Sequence, residues 1–136
     1  MGISIISGYY EVLWKATRDR EYFNLIVNYA LSSGLSRDEI ISLTGEWISF
    51  RDKPIYLRYC ILAKLIILVM ERNLNLIVEL KIVGEALKLL EKIREDLKME
   101  IDEYRVDVKP LHEALQDAAC LAEKLKSISF DETPTS

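Results

Sequence analysis

Along most of the chain apolar residues recur at steps of three and four, and nowhere do they alternate with polar ones for the length of a strand. That periodicity, with only five glycines and three prolines to punctuate it, predicts an all-α fold, a compact bundle of about five helices. The first predicted helical region covers Ser7 to Ser33, with Tyr9, Leu13 and Ala16 forming one stripe and Phe23, Val27 and Ala30 another. Between them the charged cluster Arg18-Asp19-Arg20-Glu21 predicts a bend or a solvated turn, and Gly34 is placed as a C-terminal cap. Ser36-Arg37-Asp38-Glu39 is a capping box that opens a short second helix with Ile40, Ile41 and Leu43 on its apolar side. Gly45 ends or bends this helix before Trp47, Ile48 and Phe50.

Asp52 and Pro54 give the next start signal, an acidic cap and a first-turn proline. The third helix then runs to about Arg72 and is apolar nearly all round. Such a helix belongs at the centre of a bundle, with Ile61, Leu65, Leu68 and Val69 expected to be fully buried. A long fourth helix is predicted from Leu74 to Tyr104. Its seam of Leu76, Leu80, Val83, Leu87, Leu90, Leu97, Ile101 and Tyr104 advances by alternating fours and threes, with Arg94 as the one polar member, and a second stripe of Ile82, Ala86, Leu89 and Ile93 covers its first half. Pro110 opens a fifth helix with a small-residue face of Leu111, Leu115, Ala118, Ala122 and Leu125. Residues 1–127 read as one helical domain and 128–136 as a polar, disordered tail.

Composition adds exclusions. At 136 residues, half of them apolar and 29% charged, the chain is globular rather than low-complexity. A net charge of −4 speaks against a generic basic nucleic-acid coat. Residues 1–72 hold nine basic and eight acidic side chains and residues 73–136 nine and fourteen, so any nucleic acid bound within a complex would meet Arg18, Arg20, Arg51, Lys53 and Arg58. The stretch Ile55–Met70 is interrupted by Arg58 and Lys64 and falls short of a membrane span. No secretory signal is read at Met1–Ile6, so a cytoplasmic protein is expected, with Cys60 and Cys120 as reduced core residues. Sixteen isoleucines and a single glutamine, Gln116, lean toward a thermophilic source.

One histidine and two cysteines cannot build a histidine or thiolate metal cage, and no phosphate-cradling loop or nucleophile elbow is present. The carboxylates Glu95, Asp96, Glu100, Asp102, Glu103 and Asp107 are interleaved with Lys92, Arg94 and Lys98, the pattern of a solvated helix face, so neither metal nor cofactor is expected. Gly34-Leu35-Ser36 has the look of a helix-turn-helix corner, but Asp38, Glu39 and Glu46 would be repelled by phosphate. Arg105 and His112, with six residues between them at the entry to the last predicted helix, resemble the Arg, four to six residues, His motif of HEPN-type ribonucleases. The resemblance covers these eight residues and the all-helical architecture. Val106 stands where that family usually has a polar residue, and Pro110 falls within the spacer. It implies a metal-independent RNase, or an inactive relative, in which Arg105 and His112 of two copies meet across a dimer.

The leading expectation is a non-catalytic helical interaction module, a homo-oligomer or a small subunit of a larger assembly, with no membrane association. Small helical subunits of CRISPR effector complexes share this size and class but no motif. The expected contact surface is the seam of Leu90, Arg94, Leu97, Ile101 and Tyr104, which meets either a second copy or the fifth helix folded back upon it.

Overall fold

The computed structural model describes the backbone of residues 5–104 and 109–132 and the side chains of 10–103 and 109–128. Its described elements are α1 (Ile5–Ala16), α2 (Arg20–Ser32), α3 (Arg37–Thr44), α4 (Trp47–Arg51), α5 (Ile55–Arg72), α6 (Leu74–Glu79), α7 (Val83–Tyr104) and α8 (Lys109–Glu132). The fold is all-helical. It has more and shorter helices than the five expected, because two of the predicted helices are each divided by a turn and Trp47–Arg51 forms a short helix of its own after Gly45. The first divides at residues 17–19, where Asp19 turns extended and its side chain accepts from the Glu21 amide at 2.9 Å, capping α2.

The predicted fourth helix divides at Lys81, which adopts φ 59. The amides of Lys81 and Ile82 return to the carbonyls of Val78 and Ile77 at 3.1 and 3.2 Å, the paired bonds of a Schellman motif. Gly34, at φ 101, ends α2 through the same two bonds, to Leu31 and Ala30. The break at Lys81 removes Leu76 and Leu80 from the seam, and both are exposed. The buried face of α7 is Val83, Ala86, Leu89, Leu90, Ile93 and Leu97.

The central helix is α5, which packs on α1, α2, α3, α6, α7 and α8. Leu65 and Val69 are buried within it, whereas Ile61 and Leu68 are only partly covered, so the helix has one edge open to solvent. Pro54 rather than Asp52 stands at its N-cap, and Asp52 closes α4. Three ties, Cys60 Sγ to the Pro110 carbonyl (3.2 Å), Lys64 to Glu113 (3.3 Å) and Lys124 to Glu71 (3.1 Å), advance together along both chains, so α8 runs beside α5 in the same direction. Cys60 is buried, but Cys120 faces outward on α8 rather than joining the core. The backbone of α8 is helical to Glu132, into the range assigned to the tail, and 133–136 lie outside the described residues.

Polar groups fix how the helices meet. The Asp96 carboxylate of α7 accepts from Tyr59 of α5 at 3.0 Å and from the Trp14 indole of α1 at 3.3 Å, and the Trp14 and Tyr59 rings stack 4.2 Å apart. Arg58 donates to the carbonyls of Lys53 (2.7 Å), Thr17 (2.9 Å) and Arg51, binding the ends of α1 and α4 to the start of α5. Asn73 donates from its amide nitrogen to Val69 and Ser33 carbonyls (2.7 and 3.2 Å). No described helix is long and apolar enough to cross a membrane.

Candidate functional site

The sequence between Ser36 and Arg51 dictates an awkward corner. Ser36 and Glu39 form the reciprocal capping box that starts α3. Glu39 also takes a two-pronged contact from the Arg72 guanidinium, 2.8 Å on one arm, which anchors α3 to the end of α5. These donors hold its carboxyl down at about 2 from an ordinary 4.5, Arg72 contributing most and Ser36 next. At the other end of α3 the Thr44 hydroxyl donates to the Ile40 carbonyl at 2.7 Å, and Gly45 turns the chain at φ 68. A Cβ on Gly45 would stand 2.6 Å from Ser49 Oγ, which would have to rotate away, and the positive φ is what demands glycine here.

This turn stands the five-residue α4 beside α2. Phe23, Trp47 and Phe50 then pack as an aromatic floor, with ring centroids 4.7 to 5.8 Å apart. Above Phe23 and Trp47, with Phe50 buried behind them, α2, α3 and α4 enclose a groove of about 380 Å³. Its lips are apolar and open: Ile48 is 68% exposed, Ile41 40% and Leu31 39%. Arg20 and Arg37 stand at its rim, exposed and without an ion pair among the described residues, and Glu46 is the acidic member of the lining.

The residues singled out from sequence lie elsewhere. Leu90 and Leu97 are wholly buried within the single chain, and Ile101 packs against the same core. Of its neighbours within the chain, α7 makes its most extensive contact with α8. Arg94 is partly buried with its Nε atom lacking a hydrogen-bond partner, and the Tyr104 side chain lies outside the described residues. Of the basic residues, Arg58 is committed to three carbonyls. Arg18, Arg20 and Arg51 are exposed and Lys53 partly so. His112 is an exposed residue in the first turn of α8, and Arg105 lies outside the described residues. Among the described residues no three His, Cys, Asp or Glu side chains are grouped to hold a metal.

The lips of the groove were legible only in part. Adjacent Ile40 and Ile41 sit about 100° apart around a helix, so a short surface helix buries one and exposes the other. A helix of five residues cannot turn Trp47, Ile48 and Phe50 all inward. Compared with known proteins, the chain matches no family model, no curated protein and no solved structure.

Proposed function

We propose that this protein is a non-catalytic helical interaction module and that the groove between α2, α3 and α4 is its docking surface. The observation that carries this reading is the placement of Leu31, Ile41 and Ile48, three large and exposed apolar side chains, around one concavity floored by aromatic rings. Scattered apolar residues on a surface need no explanation, but a contiguous set around a groove marks a contact site. The partner that fits is an amphipathic helix whose apolar face enters the groove at helical spacing and whose flanks are acidic, to meet Arg20 and Arg37. Such a surface suits a small subunit held in a larger assembly.

Trp47 lies in the lining and reports on occupancy. Titration with a synthetic amphipathic helix patterned with leucine and glutamate is expected to shift the tryptophan emission with a dissociation constant in the micromolar range. Ile48→Asp should weaken binding at least tenfold, and Arg20→Glu with Arg37→Glu should reverse the preference toward a lysine-flanked peptide. A response that none of these substitutions alters would end the proposal.

A further inference from the structure

Charge is unevenly placed along this chain, and the fold gathers it. Residues 15–21 and 51–58 carry six basic and three acidic side chains, whereas the rest of the chain carries twelve and nineteen. The two stretches are distant in sequence but adjacent in the fold. Because the one guanidinium of Arg58 donates to the carbonyls of Thr17, Arg51 and Lys53, the end of α1, the end of α4 and the start of α5 meet at a single corner.

The cations around that corner are not neutralised by the protein. Arg18, Arg20 and Arg51 are exposed and Lys53 partly so. None of the four makes an ion pair among the described residues, whose ion pairs join Lys64, Arg72, Lys109, Lys124 and Lys126 to acids elsewhere. The corner's own acids are Asp19, Glu21 and Asp52, and Asp19 is turned to its helix, accepting from the Glu21 amide at 2.9 Å. Carbonyls at helix ends carry partial negative charge that would offset neighbouring cations, but here Arg58 takes up three of them. An acidic protein that collects unpaired cations at one corner presents a surface to a polyanion.

Beside the corner lies a cleft of about 430 Å³ lined by Trp14, Arg18, Ile55, Tyr56 and Glu100. Glu100 is the acidic member of that lining and turns phosphate away from the cleft itself, while the exposed Arg18 attracts it alongside. What the combination admits is an uncharged flat ring next to a phosphate. A single strand of nucleic acid offers that in every nucleotide, whereas a duplex keeps its bases stacked inside. We infer that single-stranded nucleic acid crosses the corner formed by α1, α4 and α5, with its phosphates at Arg18, Arg51 and Lys53 and one base in the cleft against Trp14 and Tyr56. This is a different surface from the α2–α4 groove and does not depend on what that groove binds. RNA and DNA share the chemistry.

The test uses the whole chain labelled with nitrogen-15, and fluorescein-labelled oligouridine and oligothymidine of equal length. Fluorescence anisotropy is expected to give a micromolar dissociation constant at low salt. A strand that meets three or four of these cations should lose at least about tenfold in affinity between roughly 50 and 200 mM salt. The two tryptophans separate the two surfaces, because Trp14 lines the cleft and Trp47 the groove. Either strand should move the Trp14 indole resonance and leave that of Trp47 in place. Tighter oligouridine binding identifies RNA as the source, tighter oligothymidine binding DNA, and equal affinity a strand held by phosphate and base alone.

Arg18→Glu, Arg51→Glu and Lys53→Glu combined should abolish binding, with Arg20 left in place because it also stands at the rim of the groove. Lys88→Glu, Lys98→Glu and Lys126→Glu, at exposed positions on α7 and α8, change the net charge equally and should leave affinity within about threefold, since charges that far from the strand are screened. Ile55→Glu, at a lining position 42% exposed, puts a second carboxylate at the cleft without touching the cations. It should weaken binding about fivefold or more and suppress the Trp14 shift, so the test survives if the triple variant is poorly folded. Equal losses in the two triple variants, a duplex of the same length that binds as tightly as the single strands, or a Trp14 resonance unmoved at saturation would overturn the inference. So would a strand that moves Trp47 instead, because it would lie in the groove.

Discussion

The Tyr59 hydroxyl donates to the Asp96 carboxylate at 3.0 Å, and because the Trp14 indole reaches the same carboxylate, a single acid on α7 ties α1 and α5 to it. Tyr59 is fully buried beneath that bond. Burial first, and then the Asp96 charge, hold its phenol protonated far above the usual tyrosine range. Replacing Asp96 with alanine would leave the buried Tyr59 donor and the partly buried Trp14 donor without an acceptor, and a loss of about 2–4 kcal/mol is expected. Tyr59→Phe removes one donor and its need together and should cost only about 1–2 kcal/mol. Urea denaturation of the two single variants and the double variant checks this. Coupling below about half a kcal/mol would mean that the carboxylate contributes little to the junction.

What the sequence conveyed about this junction, and what it could not, has a physical basis. The all-helical class follows from periodicity, which local residue order contains in full. The capping box at Ser36 and the cap at Gly34 were equally legible, because each is a local interaction between residues no more than a few positions apart. The role of Asp96 was not. Within a run of alternating charges it looks like any solvated carboxylate, and only the packing of α1 and α5, from 82 and 37 residues away, supplies its donors. The groove was missed for a related reason. Exposure of Ile48 and Ile41 depends on how sharply Gly45 turns the chain, and a glycine signals a turn without giving its direction.

Lys81 shows the opposite failure, in which a strong local pattern misled. The heptad spacing from Leu76 through Leu87 runs straight across residue 81, and its one glycine, Gly84, lies three residues beyond the break rather than at it. The backbone nevertheless enters the left-handed region there, with the same paired bonds that Gly34 makes at the end of α2. A side chain in that conformation costs roughly 1–2 kcal/mol, part of which glycine returns through its freer unfolded chain. Lys81→Gly is therefore expected to stabilise the protein by about 0.5–1 kcal/mol, seen as a melting temperature higher by about 2–4 °C. A continuous helix from Leu74 to Tyr104 would instead be weakened by a central glycine, so a lower melting temperature would reject the break.

The clamp between Glu39 and Arg72 makes a prediction about acid. Glu39 has a folded-state pKa of about 2, below the 4.5 of the unfolded chain, held there by Arg72 first and the Ser36 cap next. A group depressed in this way contributes stability that is present above its unfolded value and lost as pH falls through the folded one. Between pH 4.5 and about 2 the protein should therefore lose stability faster than a variant lacking the clamp. Arg72→Gln is expected to flatten that portion of the profile and to leave the remainder little changed, as followed by chemical denaturation at a series of pH values. Glu100 acts in the opposite sense. Its pKa is raised by burial and by Glu103 and Asp96, so it favours the folded state once protonated, and that gain is lost as pH rises through its folded value. Glu100→Gln should therefore leave the limb that Arg72→Gln flattens unchanged and alter the profile only above pH 4.5, where it removes a loss of stability with rising pH, and identical profiles for the two would show that neither carboxylate is linked to folding.

Arg58 separates a structural cation from one available to phosphate. Its guanidinium donates to the carbonyls of Thr17, Arg51 and Lys53, groups left over where α1 and α4 end, and so completes two helix termini at once. Lysine cannot substitute, because a single ammonium on a flexible stem cannot reach three carbonyls in the directions a planar fork reaches them. Arg58→Lys is thus expected to cost about 1–3 kcal/mol although the net charge is unchanged. Arg18→Ala, Arg20→Ala and Arg51→Ala, at exposed positions, should each stay within about 0.5 kcal/mol of the parent. If the chain contacts nucleic acid within an assembly, the three exposed arginines should account for the salt dependence, each removal lowering its slope by about one. Arg58→Lys, with charge retained, should leave that slope alone while lowering the melting temperature. A variant set in which Arg58→Lys is fully stable, or in which it alone changes the salt slope, would assign Arg58 to the surface and dissolve the junction it is described as holding.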